Sequence, residues 1–294
     1  MSAIQPPTAA DAVISAKGLT KRYGKHTAVN GIDLQIPAGR IVGLIGPNGS
    51  GKTTTLQALL GLIPCDGALQ VLGLDPRTQR DQLMQDVSFI ADVAVLPRWL
   101  KVSQALDFVE GVHPRFSRQK AERMIAATRL RPNMRVREMS KGMVAQLHLA
   151  LVMAIDARLL VLDEPTLGLD IVVRKQFFQQ LLEDYFDQDK TILISTHQVE
   201  EIEHVLTDVI FIQEGRVTLN ASMEDLATRY LELAVLPEHL AEATALRPLA
   251  QRQVFGKTLM TFEDVPHAQL AALGEVRSVA LADIFVAKMQ GGAQ

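Results

Sequence analysis

The chain has 294 residues, of which 48% are hydrophobic and 21% charged, and its 30 Lys and Arg residues nearly balance its 33 Asp and Glu residues. Disordered chains combine low hydrophobicity with high net charge, so a formal charge of −3 on this composition indicates a folded protein. Near-neutral charge argues against a broad nucleic-acid-binding face, and the single cysteine, Cys65, excludes an internal disulfide framework. We therefore expect a globular protein with no nucleic-acid partner.

No segment of the sequence has the character of a membrane span. The mean hydropathy is +0.12, but the longest uncharged apolar stretch, at 144–155, contains Gln146 and His148 and is far shorter than the ~20 residues that cross a bilayer. The N-terminal residues carry neither the basic region nor the apolar core of a secretory signal. We expect a short flexible tail at 1–12.

The first predicted unit is an antiparallel β layer. The apolar patterns at 13–16 and 28–36 are typical of strands, and a turn follows the second one. Residues 40–45 form a compact apolar run, and after a glycine-rich loop residues 53–62 have helical composition. The order strand, glycine loop, helix is the one on which the functional interpretation depends.

Helical composition dominates the middle of the chain. After a short strand predicted at 87–90, residues 100–154 are almost entirely helical in character, with interruptions at Pro114 and Pro132. This pattern predicts an inserted helical subdomain at about 93–157.

Short apolar runs then alternate with helical segments. The runs lie at 159–162, 192–194 and 209–212, and the helical segments at 171–186 and 199–206. Continuous apolar runs are typical of parallel strands buried on both faces, so we expect an α/β fold. After a helix predicted at 223–230, short apolar pieces alternate with prolines. We expect a main domain at 13–221 and a small α+β accessory domain at 222–294.

The glycine-rich loop between the strand at 40–45 and the helix at 53–62 has a recognisable pattern. It fits G-x-x-x-x-G-K-[ST], and its residues are Gly46, Pro47, Asn48, Gly49, Ser50, Gly51, Lys52 and Thr53. Such a loop surrounds phosphates with backbone N–H groups, and the N-terminus of the following helix favours their charge. We expect Lys52 to reach the terminal phosphates of a nucleotide and the Thr53 hydroxyl to ligate Mg²⁺.

Acidic residues and a histidine follow two of the later strands. Asp163 and Glu164 end the run at 159–162, where we expect Asp163 to hold Mg²⁺ through water and Glu164 to polarise the attacking water as general base. His197 ends the next run, at the edge where open α/β sheets bind ligands, and is a candidate γ-phosphate contact. The alternatives are an acidic turn after a core strand and a structural histidine.

Residues 13–217 resemble the nucleotide-binding subunit of an ABC transporter. The loop at 46–53 matches the Walker A motif of that family, 159–164 matches its Walker B strand with the catalytic glutamate, 169–170 matches its D-loop and His197 its switch histidine. The resemblance implies a P-loop NTPase fold of the ABC ATPase type, with an antiparallel β layer, an inserted helical subdomain and a small C-terminal α+β extension. It also implies that Tyr23 stacks on adenine and that Thr54 belongs to the nucleotide-binding residues.

The family signature LSGGQ is represented here by Met-Ser-Lys-Gly-Met at 139–143. The retained Ser140 and Gly142 are expected to contact the γ-phosphate of ATP bound to the opposing subunit. A serine that begins a helix is also an ordinary N-cap, and the two interpretations are compatible because a capped helix N-terminus attracts anions. The variant resembles the subgroup that serves ABC-2-type exporters.

The Q-loop glutamine of the family is replaced by Asp92. A carboxylate there is expected either to approach Mg²⁺, directly or through water, or to be a surface aspartate of a loop. The only tryptophan, Trp99, follows closely, and it suggests a groove for a helix of a partner protein. The alternative is that Trp99 fills the core of the helical subdomain.

The resemblance implies an ATPase that binds ATP and Mg²⁺ and uses Lys52, Glu164 and His197 in catalysis. The implied partners are a second copy in a head-to-tail homodimer and a separate transmembrane permease of the ABC-2 type. ATP-driven closure of the dimer would power this permease, and the resemblance implies export. The implied location is cytoplasmic, peripheral on the inner face of the cell membrane. Two alternatives remain open: a soluble non-transport ABC ATPase that acts on ribosomes or DNA, and a nucleotide-responsive regulatory subunit with weak hydrolysis.

Overall fold

The computed structural model describes residues 12–91, 96–186 and 189–291. The predicted tail at 1–12 lies outside them except for Ala12, so its flexibility stays a prediction. The strands are β1 (Ala12–Tyr23), β2 (His26–Pro37), β3 (Ile41–Ile45), β4 (Asp66–Val71), β5 (Val87–Ile90), β6 (Leu159–Asp163), β7 (Thr191–Thr196), β8 (Asp208–Gln213), β9 (Arg216–Ser222), β10 (Tyr230–Val235), β11 (Ala250–Val254), β12 (Lys257–Glu263) and β13 (Gly274–Ser278).

The helices connect these strands and form one separate group in the middle of the chain. They are α1 (Lys52–Leu59), α2 (Arg80–Leu83), α3 (Val102–Val112), α4 (Arg118–Ala126), α5 (Lys141–Met153), α6 (Ile171–Gln180), α7 (Val199–Ile202), α8 (Met223–Arg229), α9 (Leu240–Ala245), α10 (His267–Ala271) and α11 (Leu281–Gly291). Together with the three sheets described below, they confirm the predicted α/β class.

The central sheet has six strands in the order β5-β6-β7-β3-β8-β9. Its first five strands are parallel, and β9 runs antiparallel to β8. Every residue of β3, β6 and β7 is buried, because helices or the second sheet cover both faces. The apolar runs in the sequence therefore correspond to buried parallel strands, as predicted.

The predicted antiparallel layer is a three-stranded sheet in the order β2-β1-β4. Its apolar residues pack on one face of the central sheet and on α1, which places the end of β1 beside the glycine-rich loop. The sequence did not predict β4 or β9, whose exposed and buried residues alternate without a continuous apolar run.

Helix α1 ends earlier than the sequence predicts. Its last helical residue is Leu59, and Gly61 follows with φ +65°. A Cβ atom on Gly61 would lie 2.2 Å from the carbonyl oxygen of Pro76, so only glycine permits the turn here. The close approach of two loops ends this helix, and composition alone did not reveal it.

The helical segment α3–α5 packs on the opposite face of the central sheet from the β layer. Pro114 and Pro132 lie between its helices, as predicted, and the Ser117 hydroxyl caps α4 by accepting a hydrogen bond from the Lys120 N–H. The helix predicted at 171–186 is α6 followed by a π-helical turn at Leu181–Tyr185, and the segment at 199–206 is α7 followed by a 3-10 turn.

The C-terminal region is an α+β unit with a four-stranded antiparallel sheet in the order β11-β12-β10-β13. Its last helix, α11, leaves this sheet and packs into the main core. There Leu281 and Ile284 are buried, and the Phe285 ring contacts the Phe211 ring of β8 edge-on at 5.1 Å. The Leu281 N–H donates to the Glu203 carboxylate at 2.9 Å, which satisfies an amide at the start of the helix.

We predict that α11 contributes to the stability of the main core. Ile284 is 2% exposed, so Ile284→Ala should lower the free energy of unfolding by about 2–5 kcal/mol through lost burial and a residual cavity. Val286→Ala is the matched control on the same helix, because Val286 is 49% exposed and should change stability by about 0.5 kcal/mol or less. Urea denaturation of the full chain measures both, and equal effects would contradict the packing role.

Candidate functional site

The glycine-rich loop lies between β3 and α1 and is held tightly by its surroundings. The Ser50 N–H donates to the Pro47 carbonyl at 3.1 Å, and the Ser50 carbonyl accepts from the Gly215 N–H at 2.9 Å. Gly51 has φ +104°, and a Cβ atom on it would lie 2.3 Å from the Ala28 carbonyl oxygen. The loop therefore needs glycine at Gly51 both for its backbone angle and for its contact with β2.

The side chain of Lys52 lies inside this loop and is only 6% exposed. Its ammonium donates to the carbonyl oxygens of Gly46 at 2.8 Å and Pro47 at 3.3 Å, and it lies 3.3 Å from Oε1 of Glu164. Buried charges need a partner of opposite sign, and Glu164 supplies it here. The loop thus presents a positive charge to the carboxyl end of β6.

The residues predicted from the strand ends do come together. Asp163 is buried at the end of β6. Both carboxylate oxygens of Glu164 lie 3.0 Å from Nδ1 of His197. The sheet order β6-β7-β3 explains this grouping, because the carboxyl ends of adjacent parallel strands share one edge. Lys52, Glu164 and His197 therefore form one cluster.

The backbone at Glu164 is in an unusual conformation. Its φ is +48°, in the left-handed region, which costs a residue with a side chain about 1–2 kcal/mol. The Glu164 N–H donates to both the carbonyl and the hydroxyl of Ser195, each at 3.1 Å. Ser195 is a site residue that the sequence analysis missed, because a serine within an apolar strand carries no recognisable motif.

Beside this cluster is a cavity of about 440 Å³. Its lining includes most of the predicted nucleotide-binding residues and a few others, namely Tyr23, His26, Ala28, Asn48, Gly49, Gly51, Lys52, Thr53, Thr54 and Glu164. Tyr23 is half-exposed at one side, with the Lys21 ammonium 4.9 Å from its ring centre. The Ser50 hydroxyl is buried and has no hydrogen-bond partner among the described residues. The cavity thus combines an exposed aromatic ring, backbone amides and a buried cation.

The two signature residues are among the predicted site residues that do not line this cavity. Ser140 is the N-cap of α5, where its hydroxyl accepts a hydrogen bond from the Met143 N–H at 3.3 Å, and Gly142 is in the first turn of that helix. Neither residue lines the cavity. The N-cap interpretation of Ser140 is confirmed. Asp92 lies outside the described residues, so its contact with Mg²⁺ stays a prediction.

Two oxygen-bearing side chains near the loop suit Mg²⁺ better than a metal ion whose ligands all come from the protein. Thr53 lines the cavity, and Asp163 ends β6, which β7 separates from the strand that precedes the loop. Across the described part of the chain, no group of three or more His, Cys, Asp and Glu side chains is placed to hold a metal ion. Mg²⁺ in nucleotide sites takes only one or two protein ligands and completes its shell with phosphate oxygens and water, so the two groups fit it.

Trp99 is 66% exposed, and the Phe108 ring on α3 is equally exposed. The alternative in which Trp99 fills the core of the helical subdomain is therefore wrong. A separate groove of about 470 Å³ lies between β5 with the region before it and the helical segment, where Met84, Phe89 and Val112 contribute apolar surface, and Trp99 is not among its lining residues. Among the residues that the structure describes, no helix is both long and apolar enough to span a bilayer.

The fold and the site define a P-loop nucleoside triphosphatase. A parallel strand, a phosphate-binding loop and a helix follow one another, and an acidic residue ends a parallel strand of the same sheet. Solved structures show the same fold. The chain superposes with a TM-score of 0.65 on an ATP-binding subunit of an ABC transporter, at 24% identity over 73% of this chain and 91% of that one. A nucleotide-free ATP-binding cassette from an ABC transporter superposes with a TM-score of 0.62 at 17% identity, over 72% of this chain and 92% of that one.

Sequence comparison identifies the family. The profile of the ABC transporter family matches residues 29–167. Nod factor export ATP-binding protein I of Cupriavidus pinatubonensis is 33% identical over 91% of this chain and 86% of its own length, and that of Rhizobium johnstonii is 31% identical over 93% of each. The probable multidrug ABC transporter ATP-binding protein YbhF of Escherichia coli is 31% identical over 74% of this chain and 39% of its own length.

The chain belongs to the ABC transporter family. It is an ATP-binding subunit that hydrolyses ATP and works with a separate membrane permease. Both the predicted family and the predicted ATPase activity are confirmed.

We predict that Gly51→Ala prevents nucleotide binding. The new methyl group would collide with the Ala28 carbonyl and force the loop out of its conformation. Gly73→Ala is the matched control, because Gly73 has a similar positive φ of +78° but open space around it, away from the site. Titration with a fluorescent ATP analogue should show weak or no binding for Gly51→Ala and normal binding for Gly73→Ala. Normal binding by Gly51→Ala would contradict the assigned loop geometry.

Proposed function

We propose that this ABC ATPase powers export through an ABC-2-type permease, by closing and reopening a homodimer around two ATP molecules. The observation that carries the proposal is the cluster of Lys52, Glu164 and His197 at the edge of the nucleotide cavity. Exporter relatives that match along almost the whole chain support the direction of transport.

Each predicted residue has a role in this proposal. The triphosphate of ATP lies on the loop at 46–53, where backbone amides and the Lys52 ammonium replace its water. Tyr23 stacks on the adenine, and Thr54 lines the same cavity. Nδ1 of His197 faces Glu164, which leaves Nε2 of the ring to contact the γ-phosphate.

Hydrolysis requires Glu164 to leave the Lys52 ammonium. In the proposed reaction the γ-phosphate replaces Glu164 as the partner of Lys52, and the Glu164 carboxylate accepts a proton from the attacking water as general base. The water oxygen bonds to the γ-phosphorus, the bond from that phosphorus to the bridging oxygen breaks, and ADP and inorganic phosphate are released. Thr53 and Asp163 would hold Mg²⁺, which neutralises charge on the phosphate oxygens when it is bound. His197 keeps the Glu164 carboxylate in place during this step through its 3.0 Å contact.

The position of the signature residues supports the proposed homodimer. Ser140 and Gly142 lie at the N-terminus of α5 and do not line the cavity of their own subunit. A helix N-terminus attracts anions. We infer that this end of α5 contacts the γ-phosphate bound to the second copy, so that two equivalent sites close by two-fold symmetry.

The proposed permease contact is the face that carries Trp99. Trp99 is exposed in the segment that leads into α3, and exposed aromatic side chains are typical of protein interfaces. The proposed location is the inner face of the cell membrane. The proposed division places the ATPase domain at 13–221, with its helical subdomain at about 93–157, and the accessory domain at 222–294.

We predict that Glu164→Gln separates ATP binding from hydrolysis. The amide keeps the shape of the side chain but is no longer a base, so the turnover number should fall by about 10²–10⁴-fold, while ATP binding persists and closed dimers accumulate. Steady-state phosphate release and size-exclusion chromatography with Mg-ATP measure the two effects.

Glu200→Gln is the matched control for this substitution. Glu200 lies on α7, close in sequence to His197, but its side chain is exposed and does not line the cavity. Its turnover number should equal that of the wild type. Rapid hydrolysis by Glu164→Gln would contradict the assignment of Glu164 as the general base. If Glu164→Gln stays a monomer in the presence of ATP, the proposed dimer closure would be contradicted.

A further inference from the structure

Ser195 is a buried hydroxyl that connects the two acidic residues of the site. It lies on β7 opposite Asp163 of β6, with 0% of its surface exposed. Its Oγ makes a short hydrogen bond to Oδ1 of Asp163 and lies 3.1 Å from the backbone N–H of Glu164. No motif in the sequence assigns this residue a role.

The Ser195 hydroxyl is the donor in one of these contacts and the acceptor in the other. An ionised carboxylate only accepts hydrogen bonds, so the Ser195 O–H donates to Asp163, and a lone pair of the same oxygen accepts the Glu164 N–H. The directions are compatible, and each contact restrains a different neighbour. The first orients the Asp163 side chain, and the second holds the backbone at the point where the chain turns into Glu164.

That turn needs such a restraint. Glu164 has φ +48°, a conformation that persists only where surrounding contacts impose it. The Glu164 N–H is held by the Ser195 hydroxyl and by the Ser195 carbonyl, both at 3.1 Å. Since Ser195 is fully buried, water cannot replace its hydroxyl without a change in the packing of the strand.

We propose that Ser195 is a positioning residue for hydrolysis, which orients Asp163 toward Mg²⁺ and fixes the turn that directs Glu164 toward the attacking water. This inference rests on the roles proposed for Asp163 and Glu164. A residue that orients a metal ligand affects metal affinity without touching the metal. Ser195 therefore acts on the magnesium requirement and on turnover, and only weakly on the binding of nucleotide without metal.

The test compares Ser195→Ala with Ser88→Ala. Ser88 is a matched control because it is also a buried serine of the central sheet, 2% exposed, and its hydroxyl donates to the Val152 carbonyl at 3.2 Å, away from the nucleotide cavity. Binding of a fluorescent ATP analogue is measured with and without Mg²⁺, and Mn²⁺ binding to the nucleotide complex is followed by electron paramagnetic resonance. Phosphate release gives the turnover number.

Ser195→Ala should raise the metal concentration needed for half-maximal Mg²⁺-dependent binding by about 10–100-fold and lower turnover by a similar factor. Nucleotide affinity without metal should stay close to the wild type, and Ser88→Ala should resemble the wild type in all three measurements. Ser195→Thr, which retains the hydroxyl, should lie closer to the wild type than to Ser195→Ala. If Ser195→Ala does not fold, Ser195→Cys supplies the same test with nearly unchanged volume.

Two results would overturn the inference while the wild type remains an active ATPase. One is an unchanged metal requirement and turnover in Ser195→Ala or Ser195→Cys. The other is an equal loss in Ser88→Ala, which would indicate a general effect of removing a buried hydroxyl. The variants Asp163→Asn and Glu164→Gln test the proposed function on which the inference rests. If their turnover numbers equal that of the wild type, the proposed function itself is contradicted.

Discussion

A buried cation that must have an anion beside it governs this site. Lys52 is almost entirely enclosed by the phosphate-binding loop, and two carbonyl oxygens and the Glu164 carboxylate surround its ammonium. An unpaired charge in this position would be strongly unfavourable. The site is thus suited to one negative group at Lys52, and in the proposed cycle the Glu164 carboxylate and the γ-phosphate of ATP are alternative occupants. ATP binding then also frees Glu164 to act as a base.

The rest of the fold supports this exchange. The sheet order β6-β7-β3 places the strand of the acidic residues, the strand that ends at His197 and the strand before the loop side by side. Backbone contacts then connect these ends, because the Gly46 N–H donates to the Thr196 carbonyl and the Glu164 N–H to Ser195. Beyond His197, Arg174 of α6 forms an ion pair with Glu201 of α7, and Thr166 donates to the same carboxylate. The segments around Glu164 and His197 are therefore connected to one another.

Much of this architecture was predictable from the sequence because it depends on patterns of residues that are close together in the chain. Buried parallel strands need no polar face, so β3, β6 and β7 appear as continuous apolar runs, and the loop at 46–53 has a fixed spacing of glycines before Lys52. Long-range contacts were less visible. The end of α1 at Leu59 depends on the approach of Pro76 to Gly61, the packing of Phe285 on Phe211 joins distant segments, and Ser195 acquires its contacts only through strand pairing.

The competition at Lys52 can be measured directly with nucleotides that differ in the γ-phosphate. Isothermal titration calorimetry measures the affinities of the wild type and of Glu164→Ala for a non-hydrolysable ATP analogue and for ADP. The comparison shows whether the Glu164 carboxylate and the γ-phosphate compete for the Lys52 ammonium. The account predicts that loss of the Glu164 carboxylate strengthens binding of the ATP analogue and changes ADP affinity much less, because only the γ-phosphate takes its place. Unchanged affinity for the analogue, or an equal gain for both nucleotides, would contradict it.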